Sequence, residues 1–264
     1  MRILLTNDDG IAAPGIIALH DALEGLGEIT VVAPKTVQSA TSHGITYHAP
    51  LMTSRVRVTP TMGGVAVDGR PADCVKLALT NLYPEMFGAG ARPDLVISGM
   101  NSGANCGINV IYSGTVAAAI EAAFLGVPAI AVSMLIGGAE PDFKTGAMHA
   151  RRAIDKVLAA GDLAPHECLS INIPKTEMGD PDTSRQREIV VCPMNVHGLV
   201  DKYERRESPG GKPYYWASGH GLDFRSTDPG TDVHELLAGR ITLTPLHFDL
   251  THPPGLERWR GRLG

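Results

Sequence analysis

Short apolar runs alternate with longer segments of helical period through the first two-thirds of this chain, which predicts a parallel sheet with helices on both faces. Ile3–Thr6, Ile29–Ala33, Leu95–Ser98, Ala129–Ser133 and Leu169–Ile173 are almost uncharged runs, the pattern of strands covered on both sides. Helical spacing occupies Pro14–Leu26, Ala72–Leu82, Gly114–Leu125 and Gly146–Ala160, with a proline placed where a first helical turn tolerates it. Residues 44–68 break the alternation, and Ile45-Thr-Tyr-His48 and Val56-Arg-Val-Thr59 read as short antiparallel strands. From about residue 180 the helical period is lost, while strand-like pieces remain at Ile189–Cys192, Tyr214–Ala217 and Ile241–Pro245. The chain therefore divides into a core over 1–180 and a β-rich arm over 181–264 that ends by returning to the core. Tyr214, Tyr215, Trp216 and Leu246 lie in a stretch too thin to bury them, so the arm is expected to grip a second copy.

Composition narrows the class. With 264 residues, 44% hydrophobic and 19% charged, the chain has enough apolar surface for a large core and is not of the disordered kind. A net charge of −5 without a basic run argues against holding a nucleic acid polymer by its backbone. Cys74, Cys106, Cys168 and Cys192 are too scattered for a disulfide frame or zinc site and read as core residues in a reducing compartment. The most apolar stretch, 115–138, carries Glu121, Pro128 and several glycines, so no membrane partner is expected. A soluble cytoplasmic protein is the expectation.

The polar residues that follow the strands carry the chemistry. Asp8 and Asp9 stand side by side where the first strand ends, and ligands gather at the carboxyl ends of parallel strands. Adjacent carboxylates need a positive partner, and oxygen ligands suit Mg²⁺ or Mn²⁺. The second strand opens into Lys35-Thr-Val-Gln-Ser-Ala-Thr-Ser-His-Gly44, a loop of hydroxyls with one histidine, His43; it offers Thr36, Ser39, Thr41 or Ser42 to a metal or phosphate, and His43 to a leaving group. The third opens into Met100-Asn-Ser-Gly-Ala-Asn-Cys-Gly-Ile-Asn109, then Tyr112-Ser-Gly-Thr-Val-Ala-Ala-Ala119. Glycines there allow close backbone approach, while Asn101, Asn105 and Asn109 supply amide groups. Ser113 reads as the cap of a helix whose first free N–H groups, over Ser113–Thr115 and with the Ser113 and Thr115 hydroxyls beside them, form an anion site. The spacing fits neither the Walker nor the dinucleotide motif. Strand ends on one sheet edge allow Asp8, Asp9, Ser39 and Asn101 to converge as an all-oxygen set beside that site, which points to metal-dependent phosphate chemistry.

Thr6-Asn-Asp-Asp-Gly10, Ser39-Ala-Thr-Ser-His43, Pro71-Ala-Asp-Cys-Val75, Ser98-Gly-Met-Asn-Ser-Gly-Ala-Asn105 and Tyr112-Ser-Gly-Thr-Val-Ala-Ala118 resemble, in order and spacing, the stationary-phase survival protein SurE family. Pro213-Tyr-Tyr-Trp216, Gly230-Thr-Asp232 and Ile241-Thr-Leu-Thr-Pro245 extend the resemblance over nearly the whole chain. It implies a Rossmann-like three-layer α/β sandwich with a mostly parallel sheet and a C-terminal arm exchanged between subunits, giving homodimers or homotetramers. It also implies a phosphatase acting on nucleoside 5′- and 3′-monophosphates and on short polyphosphate, with one divalent ion per subunit on Asp8, Asp9, Ser39 and Asn101. Asp8, Asp9 and Asn101 are then the expected catalytic residues, and Ser39, His43, Asn105, Ser113, Gly114, Thr115 and Arg70 the expected substrate-binding set. The chain departs from the family pattern at Arg70, in Gly69-Arg-Pro71, where relatives have a small hydroxyl residue, and at Gln38, often arginine. The contrasting class is a nucleotide sensor that binds at the same site without turnover.

Overall fold

The computed structural model describes residues 1–183, 185–200, 202–218 and 222–264. Its main sheet uses β1 (Arg2–Thr6), β2 (Glu28–Pro34), β3 (Thr53–Arg57), β4 (Gly63–Val67), β5 (Leu95–Ser102), β6 (Ala129–Met134), β7 (Cys168–Ile173), β8 (Ile189–Val191) and β11 (Ile241–Leu246). The strand order is β3-β4-β2-β1-β5-β6-β7-β11-β8. All neighbours run parallel except the pairs β3–β4 and β7–β11. The helices are α1 (Pro14–Ala22), α2 (Pro71–Leu77), α3 (Tyr83–Phe87), α4 (Gly114–Phe124), α5 (Phe143–Ala160), α6 (Asp232–Leu237) and α7 (Pro253–Leu263).

Side-chain alternation along the strands divides the interior into two cores. Ile3 and Leu5 of β1, Leu95 and Ile97 of β5, and Ile130 and Val132 of β6 pack with α1 and α5. Leu4, Val96, Ala129 and Ala131 face the other way, onto α2 and α4. Each strand is thus apolar on both faces because each face has its own helical layer, and the result is a three-layer α/β sandwich. All four cysteines are free and buried. No helix among the described residues is long and apolar enough to cross a membrane.

Several elements differ from the sequence expectation. Ile45–His48 forms no strand; β3 pairs instead with β4, a glycine-led strand. The chain at Thr46 is bound by a carboxylate and not by a ladder: Thr46 N–H and Oγ1–H donate to Asp73 of α2 at 2.8 and 2.7 Å. Beyond residue 180 two helices, α6 and α7, appear where no helical period was read. Burial of Asp232, which accepts N–H bonds from Gly107 and Asn195 at 2.7 and 2.8 Å, fixes the start of α6 against the turn after β5. Leu246, expected to be uncovered, is partly buried against the α2–α4 core.

The remaining strands, β9 (Tyr203–Glu207) and β10 (Pro213–Ala217), form a two-stranded ribbon that among the described residues pairs only with itself. It turns at Gly210–Lys212, where the Ser208 N–H donates to the Lys212 carbonyl at 2.9 Å and the Lys212 N–H to the Ser208 hydroxyl at 3.1 Å. Tyr203, Tyr215 and Trp216 are exposed on it, the last two at 61% and 60%.

Candidate functional site

β1 lies inside the sheet, next to its central strand, with β2 on one side and β5 on the other. The chain reverses its direction of travel across the sheet between those two neighbours, and such a switch point leaves a crevice at the strands' carboxyl ends. Asp8 and Asp9 follow β1, while Asn101 ends β5; the two strands are in register from Ile3–Leu95 to Thr6–Ser98. The β5–β6 register shifts between Ser98 and Asn101. Gly99 occupies that bulge at φ +144°, and a Cβ there would lie 2.2 Å from the Val132 carbonyl oxygen. Only glycine fits, and the bulge re-aims the residues after it.

A cavity of about 210 Å³ lies at this edge, lined by Asp8, Ser39, Asn101, Asn105, Tyr112 and Ser113 among others. Asp8 is buried, accepts a short hydrogen bond from the Thr115 hydroxyl, and stands beside Asp9. Burial pushes its carboxyl up to about 6; the Thr115 bond opposes this, and the Asp9 charge adds to it. Asp9 accepts an N–H bond from Ser102 at 2.8 Å, yet burial still raises its carboxyl above the ordinary range. Among the described residues neither carboxylate has a cationic side-chain partner. Asn101 donates its Nδ2–H to the Gly103 carbonyl at 2.7 Å, which leaves Oδ1 as its available oxygen. The Ser39 hydroxyl has no partner among the described residues.

This donor set fits a hard divalent cation. Two destabilised carboxylates, an amide oxygen and a hydroxyl present oxygens only, which is the chemistry of Mg²⁺ or Mn²⁺. Among the described residues no three His, Cys, Asp or Glu side chains gather as a metal group, so a nitrogen- or sulfur-rich alternative has no candidate there.

The anion side is built by α4. Ser113 caps it, its Oγ accepting the Val116 N–H at 3.0 Å. The Thr115 hydroxyl is already given to Asp8. Both hydroxyls expected to meet substrate are therefore engaged by the protein; the Thr115 backbone N–H is also turned to the Asp8 carboxylate, and the Gly114 N–H remains for an anion. Gly114 packs directly on Asp8: a Cβ there would lie 2.9 Å from Asp8 Cβ and Oδ2 and 3.1 Å from Pro71 Cγ.

Of the other expected residues, Asn105 is at this cavity and Arg70 and His43 are not. Asn105 lines it, but its Nδ2–H is donated to Ser133 Oγ at 2.8 Å, and its backbone is clasped by Asn172. Arg70 precedes α2 and its guanidinium lies against Gly44, where an added Cβ would meet Nη1 at 2.1 Å; it does not line the cavity. His43 is tied to Glu121, two turns down α4, and does not line the cavity either. Glu121 itself was invisible to the sequence reading, because one acid in a run of small helical residues looks like a solvated face. A second cleft, of about 510 Å³, opens on the far side of Asp9 and shares Ser102 with the first.

Residues 3–196 match the family described as Survival protein SurE. A protein of Rhodopirellula baltica called 5′-nucleotidase SurE is 45% identical over 95% of this chain and 94% of its own length. One of the same name from Heliobacterium modesticaldum is 44% identical over 96% and 88%. The crystal structure of the SurE protein from Aquifex aeolicus superposes with a TM-score of 0.80 at 33% identity, covering all of both chains. The chain belongs to the SurE family.

Proposed function

We propose that this chain is a divalent-metal-dependent phosphatase that hydrolyses nucleoside 5′-monophosphates. The observation that carries the reading is the pair Asp8 and Asp9: Asp8 buried at the start of α4, Asp9 half-buried beside it, and neither with a cationic side-chain partner among the described residues. Relatives named for 5′-nucleotidase activity support it; a sensor without turnover has no such support. The reading extends to 3′-monophosphates and short polyphosphate as further substrates, and to a cytoplasmic location.

In this reading Asp8, Asp9, Ser39 and Asn101 hold one Mg²⁺ or Mn²⁺ ion per subunit. When bound, the ion supplies charge neutralisation at the phosphoryl oxygens and acidifies water beside it. The protein does the rest. The Gly114 N–H donates to a phosphoryl oxygen, whose charge grows in the transition state. Thr115 and Ser102 hold the two carboxylates in place, one through its hydroxyl and the other through its N–H. Asp8 or Asp9 accepts the proton of the attacking water as the new P–O bond forms and the ester P–O bond breaks. The carboxylic acid so formed returns that proton to the departing nucleoside oxygen, and inorganic phosphate is the other product. Phosphate release from AMP by purified protein with Mn²⁺ tests the reading; no release would refute it.

Binding also has a thermodynamic signature. A ligand at a hundred times its Kd stabilises the folded state by about 2.7 kcal/mol, so Mn²⁺ or Mg²⁺ should raise the calorimetric Tm by several degrees. Zn²⁺ should serve poorly in restoring activity. The Asp8→Asn protein should lose the Mn²⁺ shift, and an equal shift in that variant would place the ion elsewhere.

Assembly belongs to the same proposal. A two-stranded ribbon is marginal alone, yet β9–β10 exposes Tyr203, Tyr214, Tyr215 and Trp216, and α7 buries only Gly255. These surfaces suit contacts within a homodimer or homotetramer built on an exchanged arm. Light scattering after size exclusion should show at least a dimer, and removal of 203–217 should lower the mass. A full-length, active monomer at micromolar concentration would contradict it.

A further inference from the structure

We propose that Glu121 is a positioning residue for the cation site, holding the loop that carries Ser39 through His43. Ala40 and Ser42 sit at φ +54° and +53°, a left-handed region that residues with a Cβ avoid. Backbone held there persists only where its surroundings over-determine it. The anchors are visible. Gln38 N–H donates to the Asp8 carbonyl at 2.7 Å, and Thr41 Oγ1–H to the Gln38 carbonyl at 2.9 Å. Ser42 donates its N–H to Tyr112 and its hydroxyl to the Ile111 carbonyl, at 3.1 and 2.6 Å.

The loop then ends on His43, whose Nε2 lies 2.7 Å from Glu121 Oε2. A carboxylate acceptor assigns the proton to Nε2. The other oxygen, Oε1, accepts from Lys76 Nζ of α2 at 2.5 Å. The Glu121 side chain is only 6% exposed, and burial by itself would raise its carboxyl. His43 and Lys76 outweigh that and hold it below the ordinary carboxylate range. A buried charge engaged at both oxygens is a fixed point, whereas a loop serine with no partner is not.

The geometry explains why this acid matters to a cavity it does not line. Glu121 and Gly114 are on one helix, seven positions apart, and a helix is rigid over two turns. The same element therefore holds Asp8 and presents the Gly114 N–H at its start, and fixes the far end of the Ser39 loop further down. Ser39 Oγ has no partner of its own among the described residues, so its placement depends on the backbone that His43 and Ser42 hold. Groups that orient a ligating side chain typically change metal affinity by about 10- to 100-fold when removed.

This inference rests on the reading of Ser39 as a cation ligand, and a double-mutant cycle separates the two. The readout is Mn²⁺ Kd by titration calorimetry on the otherwise intact protein. Glu121→Gln should weaken Mn²⁺ about tenfold in the wild-type background and less than about twofold in a Ser39→Ala background. Equal weakening in both backgrounds would mean general damage to the fold and would overturn the positioning role, as would no weakening in either. Ser39→Ala that leaves Kd unchanged would refute the ligand reading beneath it. Should Glu121→Gln fail to fold, His43→Asn cuts the same link from its exposed end and must show the same dependence on Ser39; independence there overturns the proposal.

Discussion

Replacing Asp8 or Asp9 by asparagine is expected to cut phosphate release from AMP at least about a hundredfold while leaving the fold intact. The size follows from what each carboxylate supplies. Removing one preorganised group from a charge-stabilising site commonly costs ~10²–10³ in kcat, and here the change also weakens the cation's own hold. The fold should survive because both carboxylates are strained in the free protein: burial raises each above its ordinary range, and Asp8 also feels Asp9. A neutral amide removes that repulsion, so circular dichroism should be unchanged and the metal-free Tm equal or higher. Near-normal kcat in both variants, with Mn²⁺ affinity retained, would remove the two acids from the mechanism.

Gly114→Ala should have the second-largest effect, through a different route. The new Cβ would stand 2.9 Å from Asp8 Cβ and Oδ2 and 3.1 Å from Pro71 Cγ, closer than packed carbon atoms tolerate. Asp8 is the mobile partner, because Pro71 is fixed in the first turn of α2. Overpacking of this kind costs about 1–3 kcal/mol of stability. Displacement of a reacting group by ~1 Å can cost ~10²-fold in rate, so activity should fall by one to two orders of magnitude. Alanine is otherwise a better helix former than glycine. A more stable and fully active Gly114→Ala protein would show that the close packing of α4 on Asp8 is not functional.

Much of this was legible in the sequence because a strand buried on both faces leaves a continuous apolar run. Ile3–Thr6 and Ala129–Ser133 could be read to within a residue or two for that reason. The candidate site could be sought in the polar residues after those runs, and the structure brings Asp8, Ser39 and Asn101 to one cavity with Asp9 beside Asp8. Elements without that signal were missed. β4 opens with Gly63-Gly64, which carries no strand pattern, and β9 reads Tyr-Glu-Arg-Arg-Glu because neither of its faces is covered in this chain. α6 is short and is set by the buried Asp232, a tertiary constraint with no periodicity of its own. The family resemblance is what puts Arg70 near substrate, and His43 shares a loop with Ser39. Their side chains turn instead to Gly44 and to Glu121, contacts between segments that no local pattern records.

The central claim is that the strand-end carboxylates act through a bound divalent cation. Inorganic phosphate released from AMP, measured on exhaustively chelated protein before and after adding Mn²⁺, tests it most directly. The account predicts no release above the buffer rate without metal and recovery of turnover on adding Mn²⁺ or Mg²⁺. Undiminished release from the metal-free protein would contradict it.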